Sequence, residues 1–180
     1  LAFEGVLAST KTHQLADGSD YYAVNPLGYV PFLVLADGRT LREGQVISQY
    51  IADQVPASGL APAAGTWERY KLQEWLSFIS SELHKGFSPL FNPATPEDYK
   101  PLVKERLLQR LTWLDGELAG KDYLMGSTFT VADAYLFTVT NWAGFVKLDI
   151  AALANLAAVR ARIAARPAVQ AAMKAEGLIK

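Results

Sequence analysis

Apolar and polar positions follow two different periods in the two ends of this chain. From Phe3 to Ser9 they alternate, with Phe3, Gly5 and Leu7 set against Glu4, Val6 and Ala8, which suits a short strand. Thr10–Asp20 is polar, contains Asp17-Gly18 and reads as a loop. Asn25-Pro26-Leu27-Gly28 is a turn signal, and Val30-Pro31 leads into Phe32–Leu35, a buried run of strand length. Asp37-Gly38 predicts a hairpin, with the return strand opening at Thr40-Leu41. At Gly44 the period lengthens: Val46, Ile47, Tyr50 and Ile51 share a helical face, and Pro56 stops that helix.

Val55–Gly65 holds two prolines and two glycines and reads as a linker between domains. Everything after it has helical spacing. Thr66 can cap a helix that buries Leu72, Trp75, Leu76, Ile79 and Leu83. Gly86 is expected to end it, which would leave His84 and Lys85 at a helix C-terminus. Thr95-Pro96-Glu97-Asp98 is a helix start, and Pro101 moves the regular part later. Val103, Leu107, Leu111, Leu114 and Leu118 then make a long stripe that Gly120 closes. Another helix is predicted from Val131 to about Val146. Asn155 is expected to cap the next, and Pro167 opens a last one to about Ala175. Thr130 and Asp133 have capping-box spacing, a structural role. The four tryptophans, Trp67, Trp75, Trp113 and Trp142, are expected in core or interface, although an acceptor pocket can use one.

Composition narrows the chemistry. Among 180 residues 51% are hydrophobic and the net charge is −1, with no basic run, so nothing points to nucleic acid or to an anionic membrane surface. No apolar stretch is long enough to span a bilayer. There is no cysteine, which excludes a disulfide or a thiol nucleophile within these residues. The two histidines, His13 and His84, lie far apart, so no metal site is expected. No secretory signal is visible, and the cytoplasm is the expected compartment.

Three motifs fall in register: Asn25-Pro26-Leu27-Gly28-Tyr29-Val30-Pro31 before a strand, Leu41-Arg42-Glu43-Gly44 before a helix, and Phe129-Thr130-Val131-Ala132-Asp133-Ala134-Tyr135 opening a helix. Together they resemble the cytosolic glutathione transferases. A fourth stretch, Glu82-Leu83-His84-Lys85-Gly86-Phe87 with Pro89-Leu90-Phe91, is similar specifically to the bacterial beta class. The resemblance covers essentially the whole chain. It implies an α+β chain: an incomplete thioredoxin-like domain over 1–56 and an all-helical domain over 66–180. It also implies that a strand and a helix precede Leu1, the strand lying between Phe3–Ser9 and Phe32–Leu35 in the sheet. In beta-class members that segment carries a cysteine near the glutathione sulfur.

The implied activity is conjugation or reduction of a small electrophile by glutathione, the co-substrate, in a detoxifying homodimer. The electrophile would lie in an apolar pocket between the domains. The alternative is a non-catalytic protein on the same fold that binds glutathione or another protein. Val30 and Pro31, through a cis bond, would present the Val30 backbone to the cysteinyl part of glutathione; an ordinary trans turn is the plain reading. Glu43 would accept from the γ-glutamyl ammonium while Gly44 lets the ligand approach, although Glu43 can instead simply cap the helix. The glycine carboxylate needs a cation, for which His13 and Lys11 are the candidates; both also suit a solvated loop. His84 and Lys85 would act at the sulfur as the catalytic pair, against the plain reading of cations favoured at a helix C-terminus.

Overall fold

The alternating segment at the start does not become a strand. Among residues 1–9 the only pairing is an isolated bridge between Ala8 and Leu15, and Phe3 is 89% exposed. A strand needs a partner for its backbone groups, and Phe3–Leu7 is paired with none. The computed structural model describes residues 1–180, which sort into two units, Leu1–Ile51 and Ala52–Lys180.

In the first unit the hairpin forms where the sequence predicts it. β1 (Leu33–Val34) pairs antiparallel with β2 (Thr40–Leu41), Leu33 opposite Leu41 and Val34 opposite Thr40. Gly38 N–H donates to Leu35 C=O and Leu35 N–H donates to Arg39 C=O, so a three-residue loop joins the strands. The Asp37 carboxylate accepts from the Arg39 backbone and side chain, which holds its pKa below the ordinary carboxylate value. α1 (Gly44–Asp53) follows. Ile47 and Ala52 are buried, whereas Val46 and Ile51 of the predicted face stay exposed.

The second unit is all helix: α2 (Trp67–Phe78), a π-helical segment (Ile79–His84), α3 (Lys85–Phe91), α4 (Lys100–Glu117), α5 (Val131–Phe145), α6 (Ala154–Ala164) and α7 (Pro167–Ala175). Thr66 Oγ1 caps α2 by accepting from Arg69 N–H at 3.2 Å. The buried Arg69 side chain ties the linker down. Its guanidinium pairs with Asp53 and its Nε donates to Pro62 C=O at 2.7 Å. The apolar stripes expected on α2 and α4 are all buried and meet in one core with Phe87, Leu136, Val139, Leu156 and Ile163. Of the four tryptophans only Trp75 is core. Trp67 and Trp113 are 73% and 52% exposed, and Trp142 is half-buried.

Two predicted details differ. Asn155 is not the cap of α6 but lies in its first turn. Its amide donates to Asp115 C=O, and the Asp115 carboxylate, reaching over from α4, accepts Leu156 N–H at 2.8 Å. A carboxylate from a packed neighbour thus serves the helix start. Nor does Gly86 end a helix. It sits inside α3 because α4 packs closely there: a Cβ on Gly86 would stand 2.8 Å from Leu107 Cδ2. Gly86→Ala is therefore expected to overpack the core. Overpacking costs about 1–3 kcal/mol and alanine returns roughly 1 kcal/mol in helix propensity, so the net loss is up to about 2 kcal/mol. Urea unfolding reads this; a midpoint raised by the full propensity gain would mean that Leu107 yields without cost.

Candidate functional site

In the first unit the two glutathione-type motifs are joined by one buried amide. Asn25 is 1% exposed; its Nδ2 donates to Tyr29 C=O at 2.8 Å and its Oδ1 accepts from Arg42 Nε at 3.1 Å. Tyr21 Oη donates to the same Tyr29 carbonyl at 2.7 Å. The Arg42 guanidinium also lies over the Phe32 ring, 5.1 Å from its centroid. The turn before Val30-Pro31 and the residue before Glu43 are thus held by one set of bonds. The Val30–Pro31 peptide is cis. Gly44 packs against Pro31: a Cβ there would lie 3.4 Å from Pro31 Cγ. The structure therefore brings Val30, Pro31, Glu43 and Gly44 together.

Glu43 has φ +65°, a left-handed conformation that a non-glycine residue adopts at a cost of about 1–3 kcal/mol. Its backbone carbonyl, not its side chain, serves the start of α1, accepting Val46 and Ile47 N–H at 2.9 Å each. The carboxylate stands exposed. This removes the simple side-chain cap as an account of a glutamate here.

His13 is placed differently from a solvated loop cation. Its ring stacks on Tyr22, centroids 4.4 Å apart, with Nδ1 buried. Both rings press on Gly28 (φ +67°), where a Cβ would lie 2.8 Å from His13 Nδ1 and from Tyr22 Cε1. Lys11 is exposed in the preceding turn.

In the second unit His84 and Lys85 lie inside a continuous helical run, not at a helix C-terminus, so no end dipole accounts for them. Their placement follows from the π segment. Trp75, Ile79, Leu83 and Phe87 are spaced by four, and on an α-helix each such step drifts by about 40°. The wider π turn, in which Lys85 N–H reaches back to Ser80 C=O, absorbs the drift. All four side chains are buried as a result. His84 is turned toward α5 and Lys85 is exposed. His84 Nδ1 lies 2.7 Å from Tyr135 Oη, and the Trp142 ring meets the imidazole edge to face at 4.7 Å. Phe87 and Phe91 pack on Trp142 at 5.9 and 5.7 Å.

At the start of α5 the Asp133 carboxylate is fully buried. It accepts Thr130 N–H at 2.8 Å and the Thr130 hydroxyl at 2.9 Å, completing the capping box, and its other oxygen accepts Leu124 N–H at 2.8 Å. Burial pushes its pKa up; the three bonds oppose that in part.

Residues 78–167 match the sequence pattern of the glutathione S-transferase C-terminal domain. The chain is 50% identical to glutathione S-transferase GstA of Escherichia coli O157:H7 over 92% of its own length and 82% of that protein. The chain belongs to the glutathione S-transferase family. Within that family its structure matches a bacterial beta-class enzyme of Sphingomonas chungbukensis, with TM-score 0.96 and 46% identity over 99% of this chain and 89% of the other. It also matches a sphingomonad glutathione S-transferase solved in complex with glutathione, with TM-score 0.94 and 48% identity over the same shares. The family fold expected from the motifs is thus the fold observed.

The sequence pattern marks Asn25, Arg42 and Tyr135 only as members of their motifs and Trp142 only as one of four tryptophans. Tyr135 and Trp142 are seven apart, hence on one face of α5, but that spacing equally marks a core stripe. Asn25 carried a turn signal that concealed its bridging amide.

Proposed function

We propose that this transferase-family chain binds glutathione through Glu43, Gly44, Val30 and Pro31, and catalyses attack of its thiolate on small electrophiles. The observation that carries the reading is Glu43. It is held in a costly left-handed conformation, its carboxylate is exposed, and its capping duty is done by the backbone. Such strain is characteristic of functional positions. In the reading, the carboxylate accepts from the γ-glutamyl ammonium, and Val30 offers backbone groups to the cysteinyl unit as a strand edge would. His13 or Lys11 meets the glycine carboxylate. His84 and Lys85 favour the ionised sulfur.

In the reaction the thiolate forms a C–S bond, the leaving group departs with its electron pair, and the thiol proton passes to solvent. The working form in this reading is a cytoplasmic homodimer. The exposed apolar side chains of α2, Trp67 and Tyr70, support an association surface, as do Val46 and Ile51 on α1. No helix is long and apolar enough to cross a membrane.

The test is glutathione-dependent conjugation of a chlorodinitrobenzene by the full chain, together with calorimetry of glutathione on wild type and Glu43→Ala. Turnover is expected. The substitution should weaken binding by about 1.5–3 kcal/mol, the worth of a charged hydrogen bond. Binding without turnover would favour a non-catalytic member of the fold. Unchanged affinity would remove Glu43 from the site.

A further inference from the structure

Asn25 does more than its turn requires. Its Oδ1 accepts Leu27 N–H at 3.4 Å, the contact by which such a residue opens a turn, and an aspartate would serve there equally well. Asparagine also brings a donor, and that donor goes to the carbonyl of Tyr29 at 2.8 Å. We propose that Asn25 and Tyr21 are positioning residues for glutathione: together they fix the plane of the Tyr29–Val30 peptide and so aim the Val30 N–H at the cysteinyl unit of the ligand. The inference rests on the reading that Val30 receives that unit.

The orientation of the Asn25 amide follows from its neighbours. A guanidinium has only donors, so the atom facing Arg42 Nε at 3.1 Å is the oxygen, and the atom facing the Tyr29 carbonyl is the nitrogen. Tyr21 Oη donates to the same carbonyl at 2.7 Å. One donor satisfies an inward carbonyl; a second fixes its direction. The Tyr29–Val30 peptide is trans and planar, so its N–H points opposite to its C=O. The C=O is turned inward, onto the buried Asn25 and Tyr21. The Val30 N–H is therefore turned outward, at a residue that is 48% exposed.

The holding residues are themselves held. Asn25 N–H donates to Tyr21 C=O at 2.9 Å, and Asn25 C=O accepts Gly28 N–H at 2.8 Å. Arg42, lying over the Phe32 ring, keeps the amide from turning about its last bond. A ligand that pairs as a strand would is best met by an N–H already aimed at it, because ordering a swinging peptide on binding costs affinity. Packing alone does not explain the Tyr21 hydroxyl, since phenylalanine would fill nearly the same volume. Nor does the turn explain the Asn25 donor, since its Oδ1 alone makes the turn contact.

The test is proton–nitrogen NMR of the full chain with labelled valine, titrated with glutathione, alongside calorimetry of the same samples. Val30→Ile assigns the Val30 signal. In wild type the Val30 amide proton should move downfield as glutathione binds. Asn25→Asp keeps the turn contact and an acceptor for Arg42 but replaces the donor. The Val30 response should shrink, and the Kd for glutathione should rise about two- to ten-fold, the worth of one hydrogen bond. Tyr21→Phe removes only the second donor and should move both readouts the same way, even if Asn25→Asp folds poorly. A purely structural role would lower the melting temperature and leave the Kd and the Val30 response of folded molecules as in wild type. That result in Tyr21→Phe and in any folded Asn25→Asp overturns the proposal while the reading of Val30 stands. If wild type binds glutathione with no response at Val30, or does not bind it, the reading of Val30 fails and the proposal fails with it.

Discussion

Asp133→Ala should destabilise the second unit by about 2–6 kcal/mol while leaving the turnover of folded molecules intact. The carboxylate serves two backbone N–H groups, of Leu124 and Thr130, at a site with no solvent contact. Each buried donor left without an acceptor costs about 1–3 kcal/mol. Against a typical stability of about 5–15 kcal/mol that is a large share. Thr130→Ala removes only the hydroxyl and should cost about 0.5–2 kcal/mol. Urea titration measures both. The comparison also carries a pH signature. Burial raises the Asp133 pKa in the native state, so the native chain holds that proton more tightly than the unfolded chain. Its contribution is therefore fully present below the unfolded carboxylate value of about 3.9 and is lost as pH rises through the raised native pKa. The stability gap between wild type and Asp133→Ala should widen as pH falls from neutral toward that value. A gap that narrows would mean that the three hydrogen bonds outweigh burial. An inactive but fully stable variant would instead move Asp133 into the catalytic machinery.

The helical half was legible because its signals are local and its faces are complete. The stripe from Val103 to Leu118 needs nothing beyond its own spacing to declare a buried face, and Thr130 with Asp133 carries its cap within one turn. Misreadings arose where a residue answers to a distant partner. Gly86 reads as a terminator by propensity, yet it is there because Leu107 comes close. Asn155 reads as a cap, yet the capping oxygen belongs to Asp115 on another helix. Phe3–Ser9 alternates like a strand, but alternation states which face would be buried and says nothing of a pairing partner. The candidate site divides in the same way. Glu43, Gly44, Val30 and Pro31 are candidates through the family resemblance that their motifs carry. The left-handed backbone of Glu43 and the Asn25–Arg42 bridge beneath it could not be read there, since both depend on contacts far apart in sequence.

Lys85→Ala and His84→Phe are expected to lose turnover most where glutathione is least ionised, and to recover it as pH rises. A free thiol has a pKa of about 8.5, so at neutral pH only a few per cent is thiolate unless the protein favours the anion. A positive charge within about 4–6 Å lowers such a pKa by about 1–3 units, and each unit is about ten-fold in thiolate near neutrality. The exposed ammonium of Lys85 should sit toward the lower end of that range, since solvent screens it. Removing it should therefore reduce kcat at saturating glutathione by roughly ten-fold at pH 7. The half-maximal point of the rate profile should move up by about one unit, and the variant should approach wild type above about pH 9. His84→Phe removes a donor, not a fixed charge, so its profile should shift less. That variant further leaves the Tyr135 hydroxyl without its 2.7 Å partner, so thermal stability is measured alongside and the rates are taken well below the melting point. The helix-end explanation has already lost its footing, because both residues lie within a continuous helical run. What stays in competition is a purely packing role, and a packing role cannot move a titration. Wild-type pH profiles in both variants, with lowered melting temperature alone, would reduce the pair to structure.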